Sequence, residues 1–277
     1  MKIIDGKTLA ENLRKNIANE VKQYSRPPGL AVILVGDDEA SKVYVRNKSK
    51  ACVQVGFYSD QIHKSANITQ EELLSEVQRL NENNNIDGIL VQLPLPSHID
   101  ANEIIEAIIP EKDVDGFSSE NVGKLSLNKP FISPCTPRGV MKMLASIKCD
   151  LRGKDCVIIG ASNIVGRPMA MELLNAGATV QVCHKETNDI KQKTKSADII
   201  IAAAGVSNLV NRKWIKEGAV IIDVGINRLE NGTMTGDVDF DDVKDIASAI
   251  SPVPGGVGPM TIAVLLENTL MAYQAKL

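Results

Sequence analysis

Short, almost wholly apolar runs alternate along this chain with longer stretches in which apolar residues recur every three or four positions. Leu30–Val35 is an uninterrupted apolar run closed by Gly36, the pattern of a strand covered on both faces. Glu39–Val55 follows with helical spacing, and Gly56 marks its end. Phe57–His63 reads as a second strand. Thr69 with Glu72 three residues on is a capping box that opens the next helix. Asp87–Leu93 is a third strand, ending in Pro94-Leu95-Pro96. Asp100–Ile109 is helical, and Pro110–Phe117 is a charged loop. Thr136 with Pro137 behind it predicts the cap and first position of another helix. Met1–Val21 reads as one amphipathic helix through Leu9, Leu13, Ile17 and Val21.

A second series begins past the middle of the chain. Its predicted strands are Cys156–Ile159, Thr179–Cys183, Asp198–Ala203 and Val220–Val224. Its helices are Ile164–Ala176, a segment near Asp189–Lys195, and Trp214 with its neighbours. Ser251–Pro259 is a glycine-proline loop before a last helix, Thr261–Ala275, which is expected to fold back on the first unit. Strands alternating with helices in both halves give an α/β class with two parallel-sheet domains around a cleft, the second a Rossmann-like doubly wound sheet. The expected division is 1–138 plus 259–277 for the first domain and 139–258 for the second.

A length of 277 residues suits one large or two modest domains. A net charge of −3 with 3% aromatic residues argues against nucleic-acid binding, which needs a basic face or stacking rings. No apolar run approaches the roughly 18–20 residues of a membrane helix, and the charged N-terminus is no signal peptide, so a cytoplasmic location is expected. Five cysteines without a C-x-x-C pair argue against disulfides and structural zinc. Three histidines form no H-x-x-x-H pair, so no metal site is expected, and there is no Walker-type loop.

Candidate chemistry gathers in a few places. Val157-Ile158-Ile159-Gly160-Ala161-Ser162-Asn163-Ile164-Val165-Gly166-Arg167-Pro168 is a strand, a glycine turn and a helix N-terminus, which can seat a dinucleotide pyrophosphate on free N–H groups. It departs from G-x-G-x-x-G at Ala161 and Ser162, and an ordinary βα turn would look much the same. The second strand of this unit ends in His184-Lys185. Cations there suit a ribose phosphate, whereas an acidic residue would suit ribose hydroxyls, so NADP is expected over NAD, with Glu186 as the dissenting residue. Tyr44 and Lys48 are one helical turn apart, on the helix that follows the first strand. Spacing alone equally describes a surface pair. Lys42, Arg46 and Lys50 crowd the same helix without an evident carboxylate, which would depress the Lys48 amine. Gln92 is a polar residue at the end of an apolar strand. Asp113 and Asp115 sit in the charged loop, where carboxylates are usually just solvated. The run Pro252–Pro259 mixes stiff and permissive residues, which suits close approach to a ligand or a rigid turn into the last helix.

Five of these segments occur in a telling order: Tyr44-Val-Arg-Asn-Lys48, Val91-Gln-Leu-Pro-Leu-Pro96, Pro110-Glu-Lys-Asp-Val-Asp-Gly116, Gly160-Ala-Ser-Asn-Ile-Val-Gly166 and Pro252-Val-Pro-Gly-Gly-Val-Gly-Pro-Met-Thr261. Together they resemble the bifunctional methylenetetrahydrofolate dehydrogenase/methenyltetrahydrofolate cyclohydrolase family, across essentially the whole chain. The resemblance implies NADP-dependent oxidation of methylenetetrahydrofolate and hydrolysis of the methenyl product to 10-formyltetrahydrofolate at one site. It implies Lys48 as the catalytic lysine, Gln92 as its partner, Tyr44 as the ring that stacks on folate and Asp115 as the carboxylate on the pterin. Leu93, Pro254, Gly255 and Gly256 would line the substrate. Gly160, Ala161, Ser162, Ile164, Gly166, Arg167, His184, Lys185 and Ile226 would contact the dinucleotide. Homodimers are the family habit. Two other readings account for part of the pattern: a shikimate- or malate-type dehydrogenase with its cofactor domain second, and a dinucleotide sensor without turnover. The first leaves Gln92 and the Pro252–Thr261 run unexplained, and the second predicts cofactor binding with no requirement for Lys48.

Overall fold

Two parallel sheets organise the chain, and a computed structural model describes residues 1–229 and 232–277. In order, the first elements are β1 (Lys2–Ile3), α1 (Gly6–Val21), β2 (Gly29–Val35), α2 (Glu39–Val55), β3 (Tyr58–Lys64), α3 (Gln70–Glu82), β4 (Gly88–Val91), α4 (Ala101–Glu106), α5 (Ser119–Ser126) and α6 (Cys135–Ser146). There follow β5 (Asp155–Ile159), α7 (Gly166–Asn175), β6 (Thr179–Cys183), α8 (Ile190–Thr194), β7 (Ile199–Ala202), β8 (Val220–Asp223), β9 (Asn227–Arg228), β10 (Met234–Thr235), α9 (Phe240–Val243), β11 (Ala249–Ile250) and α10 (Val257–Gln274). Two compact units result, one of residues 11–135 with 262–277 and one of residues 1–10 with 136–261.

The unit of 11–135 and 262–277 is built on a three-stranded parallel sheet in the order β3-β2-β4. The central strand β2 is buried along its whole length, as its unbroken apolar run requires. Ala31, Ile33 and Val35 from one face pack with Leu73, Val77 and Leu80 of α3 and Ile104 of α4. Local chemistry sets the helix ends. Asp38 caps α2 by accepting from Ser41 N, and Gly56 ends it in the left-handed region at φ 80°. Thr69 and Glu72 make both bonds of the capping box on α3. At the other end of α3, Lys112 is buried with its Nζ donating to the carbonyls of Leu80, Asn81 and Asn83 at 2.9, 2.6 and 2.9 Å. Burial pushes this amine down to about 8, while the carbonyl dipoles favour the cation. This contact docks the 110–116 loop onto the core.

Residues 262–277, the greater part of α10, pack within this unit, as expected for the last helix. Asp87 is the fastening point. Its fully buried carboxylate accepts from the Arg26 guanidinium at 2.8 and 3.0 Å, from Gly29 N at 2.9 Å and from Lys276 Nζ at 3.0 Å. Arg26 lies 4.7 Å over the Tyr273 ring, which meets Tyr24 edge-on at 5.0 Å.

The second unit carries a six-stranded sheet in the order β1-β11-β8-β7-β5-β6, with every neighbouring pair parallel. The chain moves outward from β5 to β6 and then returns to place β7 on the other side of β5. The end of β5 is therefore the topological switch point, where open α/β sheets bind their ligands. Val157, Ile159, Ile200, Ile221 and Ile250 form the core on one face.

Several expectations change. The helix predicted from Met1 begins at Gly6, because residues 2–3 form β1. Lys2 N and Ile4 N donate to Ser248 O and Ile250 O, so the first ten residues belong to the six-stranded unit and not to the first domain. Thr136 lies inside α6, not before it, and its hydroxyl meets Thr261 Oγ1 at 2.9 Å. The last helix starts at Val257, so Gly258 and Pro259 form its first turn, where proline's missing N–H is no loss. Helix α5 and the β9/β10 ribbon were not anticipated. Among the described residues, no helix is long and apolar enough to cross a membrane.

Asp87→Asn is expected to lower the unfolding free energy by about 2–3 kcal/mol at pH 7. That is less than the roughly 3–5 typical of a fully buried pair, because Arg26 and Lys276 keep about a third of their side chains in water. Burial pushes the Asp87 carboxyl up, but Arg26, Gly29 and Lys276 outweigh it and hold it below the usual range. Its stabilising effect is therefore present above about pH 4 and lost as the pH falls through the folded value. Urea unfolding of both proteins should show the gap narrowing toward roughly pH 3; a constant gap would show that the charge on Asp87 is not what holds this corner.

Candidate functional site

In the first unit, three polar side chains meet at the carboxyl edge of β2 and β4. Lys48 stands on α2, one turn after Tyr44, and is only 8% exposed. Its Nζ donates to Gln92 Oε1 at 2.9 Å. Gln92 follows β4 directly; its backbone N donates to Ile33 O at 2.9 Å and its Nε2 to Leu93 O at 2.8 Å. With the amide nitrogen occupied by Leu93, the amide oxygen is the group that faces the lysine. Tyr44 is half-buried, and burial pushes its hydroxyl up, so the ring stays neutral at physiological pH.

The cation cluster expected around Lys48 does not form. Lys42 pairs with Asp37 at 3.0 Å and with Glu39 at 3.1 Å, and Arg46 and Lys50 are exposed. The charge that Lys48 shares is instead that of Asp115. Burial pushes the Asp115 carboxyl up, Lys48 draws it back down, and Asp113 adds to the upward push.

Asp113 and Asp115 look alike in sequence and differ in structure. Asp113 is buried and fully engaged: Oδ1 accepts from Gly116 N and Phe117 N at 3.0 and 3.3 Å, and Oδ2 from Ser118 N and Asn121 Nδ2 at 2.8 and 3.0 Å. It ties the loop into shape and so presents Asp115, whose side chain partner is the Cys135 thiol. Asn268 on α10 closes the arrangement, with Nδ2 donating to Val114 O and Ser133 O, both at 2.9 Å. Sequence reasoning missed Cys135 and Asn268. Asn268 had a signal, a lone amide among Leu265, Leu266 and Leu270. Cys135 had only its place between Pro134 and Pro137.

In the second unit the glycine turn joins β5 to α7. Gly160 has φ 123°, and a Cβ there would overlap Ala203 O; a Cβ at Gly166 would overlap Gly160 O. Ser162 Oγ accepts from Val165 N at 3.2 Å, and Arg167 Nε donates back to Ala161 O at 3.2 Å. Among the described residues no side chain caps α7; Arg167 N donates to Ser162 O at 3.0 Å and Pro168 has no N–H, so Gly166 N is the donor that the first turn leaves to an anion. Ile164 and Arg167 are exposed on this turn. At the tip of β6, His184 and Lys185 are exposed, and His184 Nδ1 accepts from Glu186 N at 3.3 Å. Glu186 points its carboxylate to within 3.8 Å of Lys185 Nζ. A cradle from which Cβ atoms are excluded, next to the Gly166 N–H and to cations, fits a phosphorylated dinucleotide.

Pro254, Gly255 and Gly256 belong to this same unit, where they line a cavity with Asp223, Gly225 and Ile226. Gly255 has φ 102°, and its carbonyl accepts from Lys7 N at 2.9 Å. Two further carboxylates shape the floor. Asp223, at the end of β8, is buried; burial pushes its carboxyl up to about 6, against the pull of the backbone donors at Asp237 and Val238. Asp237 is fully buried beside it.

Comparison with known proteins agrees with this geometry. The family model for the catalytic domain of tetrahydrofolate dehydrogenase/cyclohydrolase matches residues 4–115, and that for its NAD(P)-binding domain matches 134–277. Bifunctional protein FolD of Ruthia magnifica subsp. Calyptogena magnifica is 61% identical over 277 residues, 100% of each chain. The crystal structure of the bifunctional enzyme FolD, a methylenetetrahydrofolate dehydrogenase/cyclohydrolase from Campylobacter jejuni, is 53% identical with a TM-score of 0.98 and 100% coverage of both chains. That of Trypanosoma brucei FolD, complexed with NADP and an inhibitor, is 41% identical with a TM-score of 0.95, covering 99% of this chain and 97% of that one. With both family models in place along its length, this chain belongs to the tetrahydrofolate dehydrogenase/cyclohydrolase family.

Proposed function

We propose that this protein oxidises methylenetetrahydrofolate to methenyltetrahydrofolate with NADP and then hydrolyses the product to 10-formyltetrahydrofolate. The observation that carries the reading is the Lys48 Nζ–Gln92 Oε1 contact, made beside Asp115 at the strand ends. Tyr44 offers a ring face for the folate to stack on, Leu93 adds an apolar wall, and Asp115 accepts from the pterin N–H groups. The bound nicotinamide supplies the hydride acceptor. Gly160, Ala161, Ser162, Ile164, Gly166 and Arg167 would hold the pyrophosphate side of NADP, His184 and Lys185 the ribose phosphate. Ile226 would face the rest of NADP, and Pro254, Gly255 and Gly256 would line the substrate. A cytoplasmic homodimer belongs to the same proposal.

The two reactions make different demands on the chain. Loss of hydride leaves a cation that the folate nitrogen lone pair stabilises, so no protein base is needed. Water attack on that cation releases a proton, and a positioned base there is worth about 10²–10⁴-fold. Lys48 is the buried amine in place, and Gln92 keeps it aimed. Lys42, Arg46 and Lys50, which pair elsewhere or face solvent, take no part in this step.

Lys48→Met should therefore lose nearly all hydrolysis of added methenyltetrahydrofolate and keep measurable dehydrogenase activity, with the methenyl absorbance accumulating as NADPH forms. Hydrolysis at the wild-type rate would remove Lys48 as the base. Asp115→Ala should weaken folate binding at least tenfold, since a charged hydrogen-bond partner typically contributes about 1.5–3 kcal/mol. NADP affinity should hold, and calorimetry showing unchanged folate affinity would undo the assignment. Catalytic efficiency should be higher with NADP than with NAD, and Lys185→Ala should narrow the difference; a preference for NAD would place Glu186, not Lys185, on the ribose.

A further inference from the structure

The second unit contains two buried carboxylates whose donors are almost all backbone N–H groups. Asp237 Oδ2 accepts from Ala204 N and Gly205 N at 2.6 and 2.9 Å, and Oδ1 accepts from Val206 N and Asn227 Nδ2, both at 2.9 Å. Asp223 holds Asp237 in turn: Oδ1 accepts from Gly225 N and Asp237 N at 3.0 and 2.9 Å, and Oδ2 from Val238 N at 2.9 Å. The fit is tight enough to dictate sequence. A Cβ at Gly225 would overlap Asp237 Oδ1, and one at Gly236 would overlap Asp223 Oδ2.

The segments held this way flank the switch point. Residues 203–206 continue from β7, and Ala203 N donates to Ile159 O at 2.8 Å, directly beside Gly160. Residues 225–227 continue from β8 and carry Ile226, an apolar side chain that is 43% exposed although the backbone on either side of it is clamped. An exposed isoleucine on a rigid stretch at the carboxyl edge of a parallel sheet is placed to meet a ligand.

We propose that Asp237 is the positioning residue of the dinucleotide site: braced by Asp223, it sets 204–206 and 225–227 against the 160–166 turn and so shapes the crevice that NADP enters. The inference rests on the proposed placement of NADP on that turn. Asp237 touches no reacting atom and acts through the backbone it orders. Asparagine cannot replace it, because its amide nitrogen would face two of the four donors.

The experiment compares Asp237→Asn, Asn227→Ala and Arg167→Ala by steady-state kinetics, with hydrolysis of added methenyltetrahydrofolate in the absence of dinucleotide as a second readout. In Asp237→Asn, KM for NADP should rise tenfold or more, kcat at saturating NADP should stay within threefold of wild type, and hydrolysis should be unchanged. Asn227→Ala should raise the same KM two- to fivefold. A purely structural role would instead lower Tm and reduce both activities together, which overturns the inference. So does an unchanged KM for NADP in a folded Asp237→Asn. If that variant does not fold, Asn227→Ala decides alone, and an unchanged KM there is the negative result. Arg167→Ala separates the two levels: a raised KM in this variant alone defeats the role of Asp237, while no rise in any of the three also defeats the placement of NADP on the turn.

Discussion

Loops that leave the carboxyl ends of parallel strands have no ladder to accept their N–H groups, and in this protein buried carboxylates take that place. A carboxylate taken out of water needs several donors, and a loop that turns sharply around it supplies them. Asp113 gathers Gly116, Phe117 and Ser118 in one unit; Asp223 and Asp237 gather 204–206, 225 and 237–238 in the other. Each anion gains solvation and each loop gains a fixed path. The proposed ligand-facing groups, Asp115 and Ile226, sit one or two residues from these anchors. Their precision comes from neighbours that face inward.

The same logic separates structural charge from charge left for chemistry. Asp113 has all its acceptor capacity taken up by the protein, whereas Asp115 keeps part of its surface open and shares the field of Lys48. Lys112 is enclosed by three carbonyls at the end of α3, whereas Lys48 has a single oxygen partner in Gln92. The lysine with fewer fixed partners is the one proposed as the base.

Much of this was legible in the residues. Long apolar runs such as Leu30–Val35 read as strands because burial on both faces leaves no room for polar positions. The capping box at Thr69 read correctly because it is a local device. What stayed hidden depends on distant partners. The strands β1 and β11 are two residues each, too short for any periodicity, and exist because each finds an edge to pair with. Helix α5 has too few apolar positions to announce itself. Gln92 stood out as a polar residue ending an apolar strand, and Lys48 by its one-turn spacing from Tyr44 on a helix crowded with cations. Asp113 and Asp115 could not be told apart, since only the fold decides which carboxylate meets four donors. Asp237, in Thr-Gly-Asp-Val, has the composition of a turn, and nothing nearby in the chain shows that its three backbone donors, Ala204, Gly205 and Val206, lie more than thirty residues away.

The composition of the two units bears on the order in which the chain can be made. Strand β1 is synthesised long before its pairing partner β11, which lies at residues 249–250. Lys276, just past α10, is synthesised 189 residues after the Asp87 that it fastens. Neither unit is complete until residues of the other have also left the ribosome, although domains usually fold in turn from the N-terminus as they emerge. The six-stranded sheet must therefore wait for residues 249–250 before β1 can pair, and the core around β2 for residues 262–277 before it is covered, so each unit is closed by residues made long after most of it.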